Sequence, residues 1–162
     1  MSTQPKRQPP VSFRAAPDLL DAIRERAEPT GASDGDMARS MLGQYLAVLA
    51  LELRNSPFSA EEAALVCDAL NGVWLRDITG SPELILRSWW IEVEDGIKLN
   101  RLDAKWGVAD PAVLVAKCRA MSPGMSAAVI DAVGRWWHRD WPDGMSTQET
   151  LHAVGLVQRE AK

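Results

Sequence analysis

The chain has 162 residues, of which 46% are hydrophobic, and its formal net charge is −4. This length supports one or two small domains with a buried core, and the acidic balance excludes a protein coated with positive charge for general nucleic-acid binding. No apolar run is long enough to span a membrane, and the N-terminus lacks the apolar core of a signal peptide. We therefore expect a cytoplasmic protein without a membrane partner.

Residues 1–9 are polar, rich in proline and basic at Lys6 and Arg7. This composition predicts a disordered arm, because so few apolar side chains cannot form a core. The arm is either a solvated tail or a segment that contacts DNA backbone, and the sequence leaves both interpretations open.

A strand and two helices are predicted next. Residues 11–15 alternate apolar and polar side chains, which is typical of a short strand. Residues 18–27 have helical periodicity, and Pro29-Thr30-Gly31 predicts the end of that helix. Ser33, followed three residues later by Asp36, predicts the cap of a second helix that reaches about Arg54. This second helix carries Met37, Met41, Leu42, Tyr45, Leu46 and Leu49 at helical spacing.

The order strand, helix, glycine turn, helix over about residues 10–49 resembles the ribbon-helix-helix family of DNA-binding proteins, and we predict that the module spans residues 10–54. A lone strand has no partner in its own chain, so such a module folds only as a homodimer. The resemblance implies that the paired strands enter the major groove of double-stranded DNA. It further implies base contacts from Ser12 and Arg14, backbone contacts from Lys6, Arg7 and Ser33, and a dimer interface that contains Val11, Phe13, Ala15, Leu42 and Leu46. Asp34 and Asp36 depart from the family pattern, because they oppose a phosphate at the start of the second helix.

Residues 57–162 predict an all-helical domain of about five helices, separated from the first module by Asn55-Ser56-Pro57. Capping boxes are indicated where Ser59 precedes Glu62 and where Ser146 precedes Glu149. A long helix is expected from Glu83 to about Leu102, and Asp110-Pro111 and Ser122-Pro123 start two others. The predicted fold class is therefore mainly α, a ribbon-helix-helix module followed by an all-helical domain.

All seven tryptophans, from Trp74 to Trp141, lie in this second domain. They include the adjacent pairs Trp89-Trp90 and Trp136-Trp137, and neighbouring residues on a helix point about 100° apart. The preferred interpretation is that one ring of each pair packs inside while the other covers the edge of a groove. The alternative is an aromatic surface for a protein partner.

The sequence contains no constellation typical of an enzyme. His138 and His152 lack metal-ligand spacing, and Cys67 and Cys118 lie within apolar helical patterns as buried thiols. We therefore predict no catalytic residues, no metal and no cofactor.

Two functions follow from these patterns. The first is a dimeric, sequence-specific DNA-binding protein, either a transcriptional regulator or a plasmid or phage accessory factor. The alternative is a protein-interaction module, or an antitoxin-like protein that binds a partner, in which the N-terminal module serves only to form the dimer. In both cases the tryptophan-rich domain is the candidate surface for a further protein partner.

Overall fold

A computed structural model describes residues 16–71 and 82–158. The chain divides into two compact units, residues 1–44 and 45–162. The sequence predicted a boundary after Arg54, but the observed division falls inside the second helix. The last turns of that helix belong to the second unit because Leu49 and Leu53 are buried in its core.

The described residues form eight α-helices, one 3-10 turn and no strand. The predicted fold class is therefore wrong, because a ribbon-helix-helix module requires a ribbon of strands and this structure is all-helical. The second helix also makes contacts that were not predicted. Its last turns pack in the core of their own chain through Leu49 and Leu53. The predicted strand at residues 11–15 and the predicted arm at residues 1–9 lie outside the described residues.

The first unit contains helix α1 (Pro17–Ala27), the 3-10 turn (Glu28–Thr30) and the beginning of helix α2 (Asp34–Leu53). The predicted break between the two helices is confirmed. Gly31 lies in the left-handed region with φ 67°, which costs glycine little because it has no Cβ. Ile23 and Ala27 are the buried residues of α1.

The second unit adds six described helices, one more than the predicted five: α3 (Ala60–Ala69), α4 (Pro82–Asn100), α5 (Leu102–Trp106), α6 (Pro111–Arg119), α7 (Pro123–His138) and α8 (Thr147–Val154). The additional helix arises because Arg101, with φ 55°, ends α4 before α5 begins. Both predicted capping boxes are confirmed, at Ser59 with Glu62 and at Ser146 with Glu149.

The core of the second unit is built from the apolar faces of these helices. Helix α3 is buried over five successive residues, 63–67, and α7 contributes four side chains that are fully buried: Ala128, Val129, Ala132 and Val133. Beyond the last helix, Gln158 donates a hydrogen bond to the carbonyl oxygen of Leu53, and Ser56 donates one to the carbonyl oxygen of Leu156. The end of α2 is therefore fastened to the segment that follows α8.

Among the described helices, no single one is both long and apolar enough to cross a membrane. The pair α6 and α7, bent by 117°, passes that test jointly by length and composition. The pair also supplies core residues of the second unit, among them Leu114 and Val133.

Gly96 is a point of tight packing between α4 and its neighbours. A Cβ built at Gly96 would lie 2.9 Å from Leu102 Cδ1 and 3.1 Å from Ala69 Cβ. Both distances are shorter than ordinary van der Waals contacts, so the glycine permits α3, α4 and α5 to pack together.

Replacing Gly96 with valine should lower the free energy of unfolding of the second unit by about 1–3 kcal/mol, because added methyl groups overpack the helix contact. Tryptophan fluorescence during thermal or urea unfolding measures this change. Gly35→Val is the matched control, since the nearest atom to a Cβ there is Ser33 Oγ at 4.0 Å. An equal effect from both variants would mean that the Gly96 contact is not tight.

Candidate interaction surface on helix α2

The middle of α2 carries large apolar side chains that the chain leaves exposed. Their exposed fractions are about one half: Leu42 55%, Tyr45 50%, Leu46 49%, Val48 50% and Leu51 55%. A helix that is apolar on all sides is ordinarily buried. This concentration on one helix therefore indicates a surface that another molecule covers.

Two features distinguish this segment from scattered exposed leucines elsewhere. Every residue from 42 to 48 is exposed, which amounts to about two turns of helix. The segment from Met41 to Leu51 also contains no charged side chain. We call residues 42–51 the α2 surface.

Charged residues lie on both sides of the α2 surface. Asp34 and Asp36 occupy the first turn of the helix, and Arg54 directly follows its last residue. Asp34 accepts a hydrogen bond from Arg24 Nε of α1 at 3.4 Å, and Asp36 forms an ion pair with Arg39. The surface is thus neutral in the middle, with two acids and Arg39 before it and with Glu52 and Arg54 after it.

The N-terminal cap of α2 is formed by Ser33, the residue that was predicted to contact the DNA backbone. Ser33 Oγ accepts a hydrogen bond from the Asp36 backbone N–H at 3.2 Å and donates one to Asp36 Oδ2 at 2.6 Å. The Ser33 hydroxyl is therefore occupied within the chain, beside a carboxylate that repels an incoming anion. The DNA-backbone contact assigned to Ser33 stays a prediction without support from this geometry.

The remaining predicted contact residues fall into two groups. Leu42 and Leu46, assigned to a dimer interface, are exposed on the α2 surface. The others lie outside the described residues: Lys6, Arg7, Val11, Ser12, Phe13, Arg14 and Ala15. Double-stranded DNA as a partner and the homodimer both stay predictions.

The Asp36 carboxyl has a pKa below its ordinary value, chiefly because the Ser33 hydroxyl donates to it and also because Arg39 lies beside it. A lowered folded pKa means that the stabilisation is present above the unfolded pKa and is lost as the pH falls through the folded pKa. Ser33→Ala and Arg39→Gln should each raise the Asp36 pKa, as measured by NMR titration of the carboxyl carbon. An unchanged Asp36 pKa in Ser33→Ala would contradict this assignment.

The tryptophans fasten the helices of the second unit to one another. Trp106 Nε1 donates to Asp68 Oδ2 at 3.0 Å, Trp136 Nε1 to Thr150 Oγ1 at 2.9 Å, and Trp137 Nε1 to the Cys67 carbonyl at 2.8 Å. These bonds join α5 to α3, α7 to α8, and α7 to α3. They favour an internal role for these indoles.

The Trp89-Trp90 pair agrees with the preferred interpretation of adjacent tryptophans. Trp89 is 3% exposed, whereas Trp90 is half-buried and lines a cavity beside Arg119. The rings of Trp136 and Trp137 instead meet edge to face with centroids 4.7 Å apart, and neither is fully buried. Trp74 lies outside the described residues, and a protein partner for this aromatic set stays a prediction.

The cysteines and histidines do not form a site within the part of the chain that the structure describes. No group of three His, Cys, Asp or Glu residues there is arranged to hold a metal ion. Cys67 and Cys118 are buried free thiols, and burial raises the pKa of both, that of Cys118 to about 12. Such thiols remain protonated and unreactive at neutral pH.

Sequence reasoning missed a cavity next to Trp90 and Arg119. The two residues lie on α4 and α6, far apart in the chain, and no local pattern connects them.

Comparison with protein-family models, with curated proteins and with solved structures gives no match.

Proposed function

We propose that this protein is a self-associating interaction module, in which the α2 surfaces of two copies pair and thereby join two helical second units in a homodimer. The observation that carries the proposal is the uncharged α2 surface, on which the half-exposed side chains of Leu46 and Leu51 flank a row of small exposed residues. Burying an aliphatic or aromatic side chain completely contributes roughly 1.5–3 kcal/mol, so a half-exposed one gains about half of that on pairing.

The charges flanking the α2 surface favour a second copy as the occupant. Asp36 and Arg54 are 18 residues apart, about five turns at 3.6 residues per turn, so they lie on the same side of the helix. In an antiparallel pair centred near Tyr45, Asp36 of each copy approaches Arg54 of the other. The surface is therefore complementary to itself, as a two-fold symmetric interface requires.

Parallel pairing is disfavoured by the same residues. It would bring Asp36 next to Asp36 and Arg54 next to Arg54, and like charges across an interface are repulsive. In an antiparallel pair the dipoles of the two helices also point in opposite directions, and this arrangement is favourable.

The small residues of α2 support close approach of two helices. Gly43, Ala47 and Ala50 are all exposed, and they lie on the side of the helix that carries Asp36 and Arg54. Leu46 and Leu51 flank this row and supply apolar area on either side. A dimer built on this row presents two copies of the second unit, which raises the effective affinity for any partner with two binding sites.

Sedimentation equilibrium of the full chain tests the proposal over a range of concentrations. We expect a reversible monomer–dimer equilibrium with a two-fold mass at high concentration. A monomer at every concentration would reject the proposal. Titration of double-stranded DNA at low and moderate salt, followed by fluorescence anisotropy, separately tests the DNA role predicted from sequence.

A further inference from the structure

We draw no further inference here: the strongest candidate, the side of helix α2 that carries Leu42, Tyr45 and Val48 and faces away from the row of small residues, is a half-exposed apolar face, and nothing in the described part of the chain shows what covers it.

Discussion

Leu46→Glu is expected to convert the proposed homodimer into a monomer. Leu46 is in the centre of the α2 surface, and pairing would bury the new carboxylate in each copy against an uncharged helix. Removing an unpaired carboxylate from water costs several kcal/mol. The dimer Kd should therefore rise at least about 100-fold, which corresponds to about 2.7 kcal/mol. Sedimentation equilibrium measures the change.

The chain provides a matched control for Leu46→Glu. Leu99 on α4 is 77% exposed, so Leu99→Glu adds the same charge outside the α2 surface and should leave the dimer Kd unchanged. Circular dichroism should record equal helix content in both variants. A dimer that persists in Leu46→Glu would mean that self-association uses another surface.

Charge exchange tests the antiparallel orientation. Arg54→Glu should weaken the dimer because it places acidic groups opposite Asp36, and adding Asp36→Arg should restore affinity by reversing both charges. The effect should decrease with added salt, since exposed ion pairs are screened. If adding Asp36→Arg does not restore affinity, the antiparallel orientation is rejected. Self-association itself is tested separately by Leu46→Glu.

The sequence predicted the features that depend on a few neighbouring residues. Ser59 with Glu62 and Ser146 with Glu149 are separated by three residues, so the capping boxes were visible in the sequence and the structure confirms both. The break between the first two helices at Gly31 was predictable for the same reason, because it depends only on the residues of the left-handed turn.

Features that depend on the rest of the chain were not predictable in this way. A strand ribbon depends on pairing with a second strand, and the alternation at residues 11–15, which lie outside the described residues, carries no information about such a partner. Arg101 in the left-handed region has no glycine or proline signal, so the division between α4 and α5 was missed. The stacking of Arg119 on Trp90 joins two helices, and no short motif encodes such a contact.

The second prediction with a large expected effect concerns a partly buried ion pair between α3 and α6. Lys117 Nζ lies 2.7 Å from Glu62 Oε1, and the exposed fractions of the two side chains are 34% and 12%. Glu62 Oε2 also accepts the Ser59 backbone N–H at 2.9 Å as part of the capping box. One carboxylate therefore completes the N-terminus of α3 and neutralises a lysine of α6.

Glu62→Ala should lower the free energy of unfolding by about 2–4 kcal/mol, because it leaves the Lys117 ammonium without its carboxylate and opens the capping box. Glu149→Ala is the matched control. Glu149 accepts the Ser146 backbone N–H in the same arrangement but has no lysine partner among the described residues, so its loss should be clearly smaller. Urea unfolding followed by tryptophan fluorescence compares the two variants, and equal losses would mean that Lys117 contributes nothing beyond the cap. Because losing the cap is common to both variants, the difference between their free energies of unfolding measures the ion pair.

Adding Lys117→Met to Glu62→Ala should then recover part of the lost stability, since the unpaired charge is removed together with its partner.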